Sequence, residues 1–245
     1  MSSTAVLKAE ARLFGREPGA HFWILAFPTL VLVILGSIPA FRATQDDLGG
    51  LRIIDLYVPV AVLLGMIVAG LQSLPPGITG YRERGILRRM STTPVRPSAL
   101  LSAHMGLHGA AAMVSALLAL SVGRIAFDVA LPRQPFGYVL ALLLAVAVAL
   151  AMGALISALA RTSKAATAVG TAAFFPSMFC AGVYIPVQTM PDALVRIVEF
   201  TPFGAAVQAL NEAAAGDWPG WDHLGVLVGW TVLLTAGAAR WFRWE

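Results

Sequence analysis

Charge is what this sequence has least of. Asp, Glu, Lys and Arg make up only 12% of its 245 residues, about half the share usual in soluble globular domains, while 58% are hydrophobic. With a mean hydropathy of +0.77, a water-soluble fold is excluded, and the bilayer is the expected solvent. A single cysteine, Cys180, cannot form an intramolecular disulfide, and the four histidines make no Cys/His group with zinc-ligand spacing. No metal and no catalytic residue is therefore expected. Lysine is nearly missing, with Lys8 and Lys164 against 15 arginines, and neither lies in a Gly-x4-Gly-Lys-[Ser/Thr] phosphate loop. Any energy the chain draws on must then come from another chain or from an ion gradient. The formal charge of +4 is scattered around apolar runs rather than gathered on one polar face, so no nucleic-acid partner is expected.

What the chain does have is long stretches free of Asp, Glu, Lys and Arg. Six stand out: residues 18–41, 56–81, 97–123, 134–160, 165–191 and 223–239. The first five are long enough to cross a bilayer outright, and the sixth draws on Trp221 and Trp241 as interfacial anchors. A seventh, residues 200–211, is short and suits an interfacial or re-entrant segment. The expected fold is a single all-α integral membrane domain over residues 1–245 with six transmembrane helices. The first 19 residues carry Lys8, Glu10, Arg12, Arg16 and Glu17 and lack a cleavable-signal pattern, so the first span is expected to remain.

Basic residues set the expected orientation. With the N-terminus inside, 12 of the 17 Lys and Arg fall in cytoplasmic segments, and Arg42, Arg52, Arg124, Arg133 and Arg196 fall outside. The positive-inside rule then puts both termini in the cytoplasm of a bacterial inner membrane. Nine of the 13 acids lie outside under the same assignment, which gives the two faces opposite net charge.

Two segments outside the spans carry pattern. Residues 4–19 place Val6, Leu13 and Phe14 among charges, an imperfect helical stripe suited to the inner interface. Between Pro75 and Pro97 runs Tyr81-Arg-Glu-Arg-Gly-Ile-Leu-Arg-Arg-Met90, followed by Ser-Thr-Thr-Pro-Val. Five arginines in that loop would serve topology alone, but Ile86, Leu87 and Met90 give it the composition of a docking surface. Within the spans, Gln72, Ser73 and Thr79, and Thr167, Thr171 and Ser177, would be unfavourable facing lipid. Each hydroxyl has the alternative of bonding back to its own helix, whereas the Gln72 amide is harder to hide and is the leading candidate to line a pathway. Gly65, Gly70, Ala166, Gly170 and Pro176 point to close helix contacts or a bend in the second and fifth spans. His104 and His108 share one face of the third span; with no third ligand evident, packing or contact with a wet cavity is the expected role rather than metal or proton chemistry.

The segment Tyr81–Val95 resembles the cytoplasmic signature of type-2 ABC transporter permeases, the family that includes daunorubicin-type drug exporters. A second resemblance runs from Phe175-Pro176 through Gly182 and Pro186 to Met190-Pro191, with Thr201-Pro202-Phe203 where that family more often has Asn-Pro. The likeness covers essentially the whole chain. It implies an elbow helix at 1–20, a coupling helix at 81–90 and an outer re-entrant helical hairpin at 192–215. Arg82, Glu83, Arg84, Ile86, Leu87, Arg88, Arg89 and Met90 would then seat the coupling helix in a cleft of a separate ABC-class ATPase, which binds ATP and Mg. Gln72, Ser73, Thr171 and Ser177 are the expected pathway residues, and Pro186, Pro191, Thr201 and Pro202 shape the outer gate. The resemblance further implies two ATPase copies, a second permease copy forming a homodimer, and outward movement of a lipophilic drug or natural product through the lipid membrane.

Three other readings meet obstacles in the sequence. A polysaccharide or glycolipid exporter is the alternative within the family, although aromatic residues amount to only 9% and gather along no single span. A proton-driven transporter would need an intramembrane carboxylate, and none of the six windows holds an Asp or Glu. An intramembrane metalloenzyme built on His104 and His108 would need an acidic or nucleophilic partner at the same depth.

Overall fold

A computed structural model describes residues 3–45, 50–90 and 97–241, and the side chains of all of these except 3–5, 88, 90 and 97–99. The Ser91–Arg96 part of the loop signature and Arg243 lie outside the described residues. Among the described residues eleven α-helices follow one another: α1 Ser3–Phe14, α2 Pro18–Gly36, α3 Pro39–Arg42, α4 Ile53–Glu83, α5 Ile86–Met90, α6 Pro97–Phe127, α7 Pro135–Leu159, α8 Ser163–Cys180, α9 Asp192–Glu199, α10 Pro202–Ala215 and α11 Trp221–Trp241. Among the described residues β pairing is limited to one isolated bridge between Thr44 and Arg52. The fold is the expected all-α membrane bundle. Five helices, α2, α4, α6, α7 and α11, are long and apolar enough to cross, and the count reaches six if α9 and α10 form one broken span, bent by 101°.

The fifth uncharged window does not continue as one helix. α8 ends at Cys180 because Pro176 interrupts its ladder and Gly182 then takes a left-handed φ of +81°. The chain next turns through Pro186 and a 3-10 turn at Val187–Thr189 before α9 begins.

One helix is the axis of the bundle. In α4, 89% of the apolar window is buried by the rest of the chain, against 22% in both α2 and α11. Lipid tails are as apolar as leucine, so burial of this kind comes from close packing rather than from flight from water. Small residues permit that packing on several sides of α4. A methyl added at Gly153 of α7 would strike the Gly70 carbonyl, and one at Gly70 would strike the Ala149 carbonyl. Gly170 of α8 sits against the Leu71 carbonyl, and Gly65 against Ser115 of α6. Outward-facing residues such as Ile125, Val232 and Leu233 are exposed and form the lipid-facing surface.

α4 is not uniformly wound. Val68–Ser73 is π-helical, immediately ahead of Pro75 and Pro76, which remove the N–H donors that the Leu71 and Gln72 carbonyls would otherwise meet. The same arrangement recurs in α2, where a π segment at Phe22–Ala26 precedes Pro28. At 31 residues α4 is roughly 46 Å long, well beyond the ~30 Å hydrocarbon core, so it also builds structure beyond one membrane face. At one end Arg52 pairs with Asp55 at 2.6 Å and donates to the Phe127 and Asp128 carbonyls, fastening α4 to the end of α6. At the other, Arg82 donates to the Ser157 and Ala160 carbonyls at the end of α7. Gly85 then turns the chain at φ +65°, and α5 begins.

The α4–α7 crossing should therefore reject even one methyl. Gly153→Ala is expected to destabilise the protein by roughly 1–3 kcal/mol through forced backbone separation. Gly229→Ala on α11, where no atom lies within 4 Å, should be neutral or gain up to about 1 kcal/mol from helix propensity. Thermal or denaturant unfolding in detergent reads the difference; equal effects at the two sites would contradict the packing.

Candidate functional site

Three of the four expected pathway residues converge. Gln72 and Ser73 on α4 and Thr171 on α8 line a groove of about 640 Å³, with Val68, Pro76 and Gly77 beside them. Gln72 Nε2 donates towards Thr171 Oγ1 at 3.5 Å, so the amide spans the gap between the two helices. Aromatic rings complete the lining: Trp23 and Phe27 of α2, tilted at 59° with centroids 5.0 Å apart, and Phe174 and Phe175 of α8. Trp23 and Phe175 are each about half exposed, at 52% and 56%, so one side of the groove is open. Glu17 and Arg84 sit at its cytoplasmic-signature end. Ser177 is not part of it; its hydroxyl bonds back to the Ala173 carbonyl at 2.7 Å. Thr79 and Thr167 bond back in the same way.

The aromatic wall escaped sequence reading because its members come from two helices far apart in the chain. The Trp23/Phe27 spacing of four and the Phe174-Phe175 pair beside Pro176 were its only signals.

Below the groove, α1 is fastened to the bundle by an acid. Glu10 is buried, and its Oε2 accepts from the Tyr81 hydroxyl at 2.9 Å and lies 3.1 Å from His104 Nε2. Burial alone would raise the Glu10 carboxyl, but the contacts from His104 and Tyr81 outweigh it and hold its pKa below the usual carboxylate range. His108 contacts Ser73 Oγ through Nε2 at 3.1 Å, and its Nδ1 reaches the His104 carbonyl at 2.9 Å. The histidines therefore pack at an interface and touch the groove wall. Among the described residues no group of three or more His, Cys, Asp and Glu is disposed to hold a metal ion.

The residues expected to couple to an ATPase divide into two sets. Leu87 is turned into this chain, 2% exposed and packed with Val6, Leu100, Ala103 and Tyr81. Arg82 is committed to the end of α7. These two fasten the segment. Glu83, Arg84 and Arg89 are exposed, and Ile86 is half-buried. Arg84 lies 5.5 Å over the Tyr81 ring and bonds the Gly80 carbonyl. Arg88 and Met90 belong to α5, but their side chains lie outside the described residues.

At the opposite end, Pro191 and Pro202 precede or open α9 and α10, and Pro186 opens the 3-10 turn. Thr201 caps α10, its Oγ1 accepting from Gly204 N at 3.2 Å. The corner is held by Trp230 of α11, whose indole donates to the Phe200 carbonyl at 2.9 Å.

Leu87 and Glu83 now make separable demands. Leu87→Asp buries an unpaired charge and should cost roughly 3 kcal/mol or more, whereas Glu83→Ala, on an exposed side chain, should stay within about 0.5 kcal/mol. Unfolding midpoints in detergent check both, and a harmless Leu87→Asp would contradict the inward seat. Residues 2–213 match the family model described as ABC-2 type transporter. No curated protein gives a significant match to the chain.

Proposed function

The chain belongs to the ABC-2 type transporter family, and we propose that it is the membrane permease of an exporter that carries lipophilic small molecules out of a bacterial cytoplasm. The coarser statement, that it is a multi-pass membrane protein and an ABC transporter permease, follows from the family and the apolar helices. The observation that carries the finer one is the groove between α2, α4 and α8. Its volume of about 640 Å³ lies in the range of drug-sized sites. Aromatic walls with a few polar anchors, Gln72, Ser73 and Thr171, suit an amphiphile with a flat apolar body. A growing sugar chain would call for a longer channel, which disfavours the polysaccharide alternative.

ATP and Mg are bound by a separate ATPase, two copies to two permeases in a homodimer. The polar face of α5, with Glu83, Arg84 and Arg89, meets that subunit, while Leu87 and Arg82 hold the segment to α4, α6 and α7. Force applied at α5 therefore reaches the bundle axis directly. α1 is the elbow at the inner interface, and α9 with α10 dips into the outer leaflet around the Thr201-Pro202 corner. The excess of arginines and lysines in one set of loops supports cytoplasmic termini.

Filling the groove tests the reading. Gln72→Trp, co-expressed with the cognate ATPase, should reduce efflux of a panel of lipophilic aromatic compounds by at least about tenfold, a transition-state loss of ~1.4 kcal/mol. Membrane insertion and ATPase association should be unchanged. Val228→Trp, on the lipid-facing side of α11, should transport normally. Wild-type efflux by Gln72→Trp would overturn the groove as the route.

A further inference from the structure

The groove and the outward face of α5 are different places, and the junction between them holds a buried acid that packing does not require. Val6 and Phe14, one turn before and after Glu10, already give α1 its apolar contacts. A leucine at position 10 would cover the same surface without taking a carboxylate out of water. Glu10 instead bridges α1 to Tyr81 on α4 and His104 on α6. From His104 the contacts continue to the groove. A carbonyl can only accept, so His108 Nδ1, at the His104 carbonyl, carries a hydrogen, and Nε2 is left to accept from the Ser73 hydroxyl on the groove wall. On the other side, Tyr81 and Val6 both pack on Leu87 of α5.

Such a chain transmits only if some element has two arrangements. The π-helical turn Val68–Ser73 is where α4 departs from regular winding. It carries Gln72 and Ser73 and runs directly into the segment that holds Pro75 and Pro76. π turns are uncommon and concentrate at functional sites because tightening one to α rotates everything beyond it. Beyond this one lie Tyr81, Arg82 and α5. A small cavity of about 30 Å³, lined by Glu10, Ser73, Tyr81, His104 and His108, leaves the side chains room to shift.

We propose that the Val68–Ser73 turn senses groove occupancy and that Ser73, His108, His104, Glu10 and Tyr81 relay its state to α5, with Glu10 as the positioning residue. The proposal rests on reading the groove as the substrate site. It makes α1 part of the coupling machinery: an occupied groove changes how firmly α5 is seated, and a partner pressing on α5 biases the groove in return, since coupling between sites is reciprocal.

The purified full-length chain in lipid nanodiscs tests this without substrate or ATPase. Thr171→Trp serves as a fixed occupant, and amide hydrogen exchange over residues 86–90 is the readout. Thr171→Trp is expected to change that exchange by about fivefold or more, the low end of typical coupling. In Glu10→Gln, which keeps the size and most of the hydrogen bonding, the same occupant should change it by less than about twofold. Exchange in α7 should be alike in all variants, which separates a relay from general loosening. An α5 that ignores the filled groove, or that responds equally with Glu10→Gln, overturns the proposal. The two readings fail separately: efflux untouched by Gln72→Trp counts against the groove as a route, and exchange untouched by Thr171→Trp counts against the relay.

Discussion

The close approach of α7 to α4, where Gly153 meets the Gly70 carbonyl, is the contact on which the rest of the bundle depends. In water a helix as apolar as α4 would be driven into a core by its own hydrophobicity. In lipid that drive is absent, and backbone proximity must supply the attraction. Glycine on one helix against carbonyl on another, repeated at Gly70 and Gly170, gathers α7 and α8 tightly around α4. Because α4 is held, its two proline-linked features become useful rather than disruptive. The π turn is set beside α8, and the end of the helix is carried out of the hydrocarbon region to Arg82 and Tyr81.

The groove lies where this tight packing is relaxed. α8 touches α4 through Ala166 and Gly170 but diverges enough for the Gln72 amide and the Thr171 hydroxyl to face each other at the edge of hydrogen-bonding distance. The aromatic residues of α2 and α8 close two sides of that gap. The cytoplasmic-signature end shows the opposite strategy. Arg82 uses its charge to satisfy the last carbonyls of α7, and Leu87 buries an apolar knob, so a five-residue helix that could not persist alone is fixed to three others.

Much of this was legible in the sequence, for identifiable reasons. Uncharged windows mark spans because a charge in hydrocarbon is costly, and the apolar helices follow those windows closely, except where Pro176 and Gly182 end α8 early. The amide of Gln72 stood out because it cannot satisfy itself, and it bridges helices. Ser177 has the small hydroxyl that can satisfy itself, and does. What the sequence concealed was direction. Nothing in Ile86-Leu87-Arg-Arg says that Leu87 faces inward, since both an inward seat and an outward knob would be leucine. Nor could Glu10 be told from a solvated charge, because its partners Tyr81 and His104 are more than 70 residues away.

The most direct test is to ask which surfaces are wet. In a Cys180→Ser background, single cysteines at Ser73 and Thr171 in the groove, and at Val232 and Leu233 on α11, can be challenged with a membrane-impermeant thiol reagent in inside-out vesicles. All four lie in uncharged windows of the sequence, but Val232 and Leu233 are exposed on the outer surface of the bundle, at 63% each. With α4 as the packed axis and the groove as its aqueous side, the groove cysteines react and those on α11 remain silent in lipid. Labelling at Val232 and Leu233 with silence at Ser73 and Thr171 would contradict the arrangement at its centre.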